Sequence, residues 1–92
     1  MSTFEQSLLI VSRIYRDAVA THSGRSLARV ATIVANNGSF FDRLERGATC
    51  TARNLERFAA HFGDPANWPN GIIPDAAAVA LSSIGRPVRK AA

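Results

Sequence analysis

Apolar residues recur along the chain at spacings of three and four, and this pattern predicts helices rather than strands. The first helix is unusually long and runs from Thr3 to about Thr21. Its inward-facing stripe consists of Phe4, Leu8, Val11, Tyr15 and Ala18, with Ile14 beside it. A stripe of this kind is typical of a helix that packs against a core along its whole length.

Two short helices joined by a tight turn are predicted to follow. Ser26 is a suitable N-cap for a second helix from Leu27 to about Ala35. The inward positions of that helix are Leu27, Val30, Ala31 and Val34. Asn36-Asn37-Gly38 predicts the turn, because Asn and Gly tolerate positive φ at low cost. Ser39 can then cap a third helix from Phe40 to Arg46.

The remaining helical pattern predicts a fourth helix, capped by Thr49 or Thr51 and reaching about Phe62. Its core stripe consists of Leu55, Phe58, Ala59 and Phe62. Residues 63–71 are rich in Pro, Gly and Asn and are predicted to be a loop. Trp68 within this loop is expected to fill the core, because an indole buries a large area.

A fifth helix is predicted from Pro74-Asp75 to about Ser83, with small apolar residues on nearly every side. The chain is therefore expected to form one all-α domain over residues 1–84, with the helix-turn-helix at about 27–46. Residues 85–92 are expected to be a disordered basic tail.

The charge of the chain is positive, with 11 Lys and Arg against 7 acids and a net charge of +4. The positive charge lies in the middle and at the end of the sequence. Residues 25–57 hold six Arg against three acids, and Arg86, Arg89 and Lys90 follow in the tail. This distribution suits a nucleic-acid partner, although a modest positive charge also serves solubility alone.

Other classes of function receive little support. Cys50, His22 and His61 do not have the spacing of metal ligands, and no phosphate-binding glycine loop or catalytic cluster is evident. The apolar run Leu8–Val11 is too short for a signal peptide or a membrane span. We therefore expect a cytoplasmic protein that is not an enzyme and needs no metal, cofactor or small-molecule ligand.

A set of residues between 27 and 62 carries a family resemblance. Val30-Ala31 and Val34 match the second helix of one family of DNA-binding domains, and Phe41-x-x-Leu44-Glu45-x-Gly47 matches the recognition helix of that family. Leu55, Phe58 and Ala59 match its closing helix. The segment resembles the phage-repressor/Cro (Xre-type, lambda-repressor-like) helix-turn-helix domain. The resemblance implies a five-helix lambda-repressor-like fold and a sequence-specific transcription regulator, such as a repressor, of the kind frequent on mobile elements. Ala35 stands where the family usually has Gly.

The resemblance also implies which residues contact double-stranded DNA. With a recognition helix at about 39–46 in the major groove, the base-reading positions are Ser39, Phe40 and Arg43. Phe40 could contact a thymine methyl group or be a second core aromatic residue. Glu45 is expected to tie the recognition helix to a neighbouring Arg or backbone group. The expected phosphate contacts are Arg25, Ser26, Arg29, Asn36, Asn37, Arg46, Thr49, Thr51 and Arg53.

The fifth helix admits two interpretations. Its small apolar face could form a homodimer interface, through Ala77, Ala80, Leu81 and Ile84, or could pack on its own domain. Dimers of this family read palindromic operators with half-sites about one DNA turn apart. The basic tail could add phosphate or minor-groove contacts.

One rival function uses the same fold. A protein-interaction module, similar to an antiactivator or an antitoxin, could keep the helices and lack DNA binding. An exposed Phe40 would favour this rival, because an aromatic side chain suits a protein pocket as well as a base pair. The group of Arg residues in the middle of the chain favours DNA.

Overall fold

The computed structural model describes residues 3–84, and these residues form five α-helices and no strand. The helices are α1 (Thr3–His22), α2 (Leu27–Ala35), α3 (Phe40–Glu45), α4 (Ala52–Phe62) and α5 (Asp75–Ser83). Two single turns of 3₁₀ helix, Pro65–Asn67 and Pro69–Gly71, interrupt the predicted loop. The predicted all-α fold is confirmed, and α3 ends one residue earlier than predicted. The predicted disordered tail, residues 85–92, lies outside the described residues.

The long helix α1 contacts all four other helices and is buried on more than one side. Leu8, Val11 and Tyr15 are buried as predicted, and Leu9 is buried as well. The prediction for Phe4 is wrong, since its side chain is 49% exposed. Phe4 lies in the first turn of α1, where Glu5 is the buried position instead. A single apolar stripe could not predict this, because α1 packs against α5 as well as against α3 and α4.

Aromatic rings fill the centre of the core. Phe58 and Phe62 of α4 are fully buried, and the ring of Phe62 lies 5.3 Å from Tyr15 and 5.8 Å from Trp68, between centroids. The indole Nε1 of Trp68 donates a hydrogen bond of 2.7 Å to the carbonyl oxygen of Phe62. The predicted core position of Trp68 is confirmed, and its polar atom has the buried partner that such an atom needs.

Helix α5 packs back on α1 through its small residues. Ala77, Ala80 and Leu81 are buried, and Ile84 packs against the same core. The prediction that Ala77, Ala80 and Leu81 form a dimer interface is therefore wrong, because the core of their own domain covers them. For Ile84, which is only half-buried, it stays a prediction.

No helix within residues 3–84 is both long enough and apolar enough to cross a membrane.

Candidate nucleic-acid interface

The turn between α2 and α3 is built by an asparagine. Asn36 adopts the left-handed conformation, with φ of 54°, at the C-terminal end of α2. Its N–H donates to the carbonyl of Thr32 at 2.9 Å, and the N–H of Asn37 donates to Ala31 at 3.4 Å. A left-handed residue whose N–H bonds to the carbonyl four positions earlier forms the αL capping motif, which satisfies the last carbonyls of a helix. Of the three residues predicted to make the turn, Asn36 therefore supplies the left-handed conformation.

The other turn residues bring α3 close to α2. A Cβ atom at Gly38 would lie 3.2 Å from the Thr32 hydroxyl oxygen, so a larger residue here would push that side chain aside by a few tenths of an ångström. The Oδ1 atom of Asn37 accepts hydrogen bonds from the N–H and the hydroxyl of Ser39, at 3.2 and 3.0 Å. The prediction that the Ser39 side chain caps α3 is wrong, because that hydroxyl bonds to Asn37 instead.

Helix α3 has one buried side and one charged, exposed side. The buried side chains are Phe40, Phe41 and Leu44, and the exposed ones are Asp42, Arg43 and Glu45. The Phe40 ring is 8% exposed and lies 4.6 Å from Phe58 and 5.1 Å from Phe41, between centroids. The core interpretation of Phe40 is confirmed and its base-reading assignment is wrong, because Phe58 of α4 covers the ring that would have to reach DNA.

An ion pair fastens α3 to α1. The guanidinium of Arg13 donates two hydrogen bonds to the Glu45 carboxylate, from Nε to Oε1 at 2.9 Å and from Nη2 to Oε2 at 3.0 Å. This two-pronged geometry fixes orientation as well as distance. Hydrogen bonding to Arg13 lowers the pKa of Glu45, against slight burial, and the charges of Arg13 and Arg16 lower it further. The predicted tie from Glu45 to a neighbouring Arg is confirmed.

The residues expected to contact phosphate lie at the starts of α2 and α4 and around the turns. Ser26 caps α2 by accepting from the N–H of Arg29 at 3.1 Å, and Thr51 caps α4 by accepting from Asn54 at 3.1 Å. The cap of α4 is therefore Thr51 rather than Thr49. Eight of the expected contacts have exposed side chains, namely Arg25, Ser26, Arg29, Asn36, Arg46, Thr49, Thr51 and Arg53, while Asn37 is half-buried.

The loop from α3 to α4 contains a contact that the sequence did not predict. The backbone N–H of Cys50 donates to Oε2 of Glu5 at 2.6 Å, and Glu5 is 5% exposed. Sequence spacing carries no signal for a pair 45 positions apart. Burial, and next the charge of Glu5, raise the pKa of the Cys50 thiol. Both effects oppose the thiolate form of Cys50.

A cavity of about 260 Å³ adjoins the start of α2. Arg25, Tyr15, His61 and Trp68 are among the residues that line it, and the Tyr15 hydroxyl donates to the Arg25 carbonyl at 2.9 Å. Burial lowers the pKa of His61, and the charge of Arg25 lowers it further, while Asp64 opposes the shift. Burial raises the pKa of Tyr15, against the charge of Arg25.

No protein-family model, curated protein or solved structure matches the chain. Residues 3–84 also contain no group of three or more His, Cys, Asp or Glu side chains placed to hold a metal ion.

Proposed function

We propose that this protein is a sequence-specific, double-stranded DNA-binding transcriptional regulator that places its recognition helix, residues 39–46, in the major groove. The observation that carries the proposal is the two-sided character of α3. Phe40, Phe41 and Leu44 anchor one side in the core, and the Arg13–Glu45 pair fixes the helix end. Arg43 projects from the exposed side. An anchored helix with a charged outer side is what major-groove reading requires.

Arg43 and Ser39 are the proposed base-reading residues, and they lie one helical turn apart. A guanidinium can donate two hydrogen bonds to O6 and N7 of guanine. The Ser39 hydroxyl gives its hydrogen to Asn37, so it is best placed to accept a hydrogen bond from a base. Cytosine N4 and adenine N6 are the donors that the major groove offers to it.

Phosphate contacts are proposed at the N-terminal ends of α2 and α4, where backbone N–H groups and the helix dipole favour anions. Arg25 and Arg29 lie exposed at the first of these ends, and Arg53 lies exposed at the second. Contacts of this kind position a protein on the duplex without specifying its sequence.

Family resemblance supports two further parts of the proposal, an Xre-type regulator such as a repressor and a homodimer on a palindromic operator. The dimer would need a surface other than the buried side of α5. Regulation of this kind takes place in the cytoplasm. The rival function, a protein-interaction module, would have gained support from an exposed Phe40, and that side chain is buried.

The experiment that tests the proposal is selection of genomic DNA fragments by the purified protein at about 150 mM salt, because affinity without a stated salt concentration has no clear meaning. Sequencing of the retained fragments should yield one sharp motif. A palindrome with half-sites about one turn apart would support the dimer as well. Retention of no sequence, by protein that circular dichroism shows to be folded, would contradict DNA binding.

A further inference from the structure

Hydrogen bonds hold the loop between α3 and α4, residues 46–51, at both of its ends and at Cys50. The N–H of Ala48 donates to the carbonyl of Arg43 at 3.0 Å, and Thr51 caps α4 through its hydroxyl. These two bonds are local. A further bond comes from a distant part of the sequence, where Oε2 of Glu5 in the first turn of α1 accepts the Cys50 N–H at 2.6 Å. Gly47, with φ of 94°, makes the bend that begins the loop.

The hydrogen bond between Glu5 and Cys50 is important because the Glu5 side chain is buried. Glu5 is 5% exposed, and a buried carboxylate is tolerated when hydrogen bonds compensate its lost hydration. A bond from a backbone N–H to a charged oxygen is stronger than one between neutral groups. The bond therefore restrains the peptide planes around Cys50. Thr49 and Thr51, which lie on either side of Cys50, are among the expected phosphate contacts.

We infer that Glu5 is a positioning residue for DNA binding, which holds the loop of residues 46–51 in the geometry that grips the phosphate backbone. This inference rests on the proposed function. It makes the first turn of α1 part of the binding machinery, although Glu5 itself touches no DNA. The long first helix then holds both DNA-contacting parts, α3 through Arg13 and the following loop through Glu5.

The negative charge of Glu5 and its hydrogen bond to the loop predict opposite changes in DNA affinity when Glu5 is replaced. Removing a carboxylate from the neighbourhood of a phosphate-binding loop should strengthen DNA binding if charge were its whole effect. Removing the acceptor that holds the loop should weaken binding. Glu5→Gln removes the charge and keeps an oxygen acceptor, whereas Glu5→Ala removes both. Glu56→Ala is the matched control, because it removes an exposed acid of α4 from the same domain.

Dissociation constants of all variants should be measured for one DNA fragment that the wild-type protein retains in the selection experiment. The temperature should be one at which circular dichroism shows every variant to be fully folded. We expect Glu5→Ala to bind about tenfold more weakly, as loss of one charge-assisted hydrogen bond would produce. Glu5→Gln should bind with an affinity between those of the wild type and Glu5→Ala, since an acceptor remains but its charge does not. Glu56→Ala should bind as tightly as the wild type or more tightly. Equal or tighter binding by Glu5→Ala would overturn the inference.

Amide hydrogen exchange, followed by NMR without DNA, separates positioning of the loop from general stability. In Glu5→Ala the amide of Cys50 should exchange at least about tenfold faster, because it loses its acceptor, while buried amides of α4 keep their protection. Equal acceleration throughout α1 and α4 would indicate a merely structural role and overturn the inference. If wild-type protein binds no DNA, the proposed function fails and the inference fails with it. If wild-type protein binds and Glu5→Ala binds equally well, the inference alone fails.

Discussion

Replacing Phe40 with Ala should reduce the stability of the domain and leave its base preference unchanged. The ring is 8% exposed and packs against Phe58 and Phe41, with centroid distances of 4.6 and 5.1 Å. Truncation of a buried Phe to Ala costs about 3–5 kcal/mol, and the residual exposure at the edge of the core places Phe40 near the lower end. A domain of 92 residues has a free energy of unfolding of about 5–14 kcal/mol. The variant should therefore remain mostly folded at 25 °C.

Urea unfolding followed by the fluorescence of Trp68, the single tryptophan of the sequence, measures this loss. A loss of about 3 kcal/mol lowers the midpoint by about 2 M, for a slope of about 1.5 kcal/mol/M. Ile33→Ala is the control, because Ile33 lies in the neighbouring α2 and is 49% exposed, and it should cost less than about 1 kcal/mol. DNA selected by folded Phe40→Ala should carry the wild-type motif. An unchanged midpoint combined with a lost preference for thymine would refute the placement of Phe40 in the core.

The other predictions concern single side chains of the interface and the core. Arg43→Ala should lose about 1–3 kcal/mol of preference at one base position, and a loss spread evenly over all sequences would contradict its base-reading role. Arg53→Ala should instead weaken binding to all DNA and flatten its salt dependence, so an unchanged salt slope would remove it from the phosphate contacts. Because the pKa of His61 is lower in the folded domain, the unfolded chain gains its proton first as pH falls below 6.5. Wild-type protein should then lose stability relative to His61→Gln between about pH 7 and pH 5, and parallel stability curves would argue against that shift. Trp68→Phe removes the donor to the Phe62 carbonyl and should cost about 1–3 kcal/mol, measured by circular dichroism, with no change in DNA motif. A wild-type unfolding midpoint would show that this bond contributes little.

The helix boundaries could be predicted from the sequence because local chemistry determines them. Helix α2 begins and ends at the predicted residues, Leu27 and Ala35, since the Ser26 cap and the left-handed Asn36 both act within one turn of the helix. At the start of α4 the same chemistry left Thr49 and Thr51 as candidates, and Thr51 supplies the cap. Each of these signals involves residues no more than a few positions apart.

Contacts between distant parts of the chain were beyond such prediction. Arg13 and Glu45 are separated by 32 positions, and Glu5 and Cys50 by 45. The resemblance suggested that Glu45 has a partner but did not identify Arg13. The partner of helix α5 could not be predicted from the sequence either. Because this helix is apolar on nearly every side, periodicity could not indicate whether Ala77 and Leu81 face a second copy or their own core.

The short length of α3 explains why its stability and its proposed reading function are closely linked. Six residues are too few to remain helical in water without tertiary support, because nucleation costs more than so few hydrogen bonds return. Its conformation therefore depends on the burial of Phe40, Phe41 and Leu44 and on the Arg13–Glu45 pair. A change at those positions to read a new base would therefore reduce the stability of the domain. Under the proposed function, base preference can change mainly at exposed residues of α3 and at the residues that flank it. These are Asp42 and Arg43 within the helix, and Ser39 and Arg46 on either side of it.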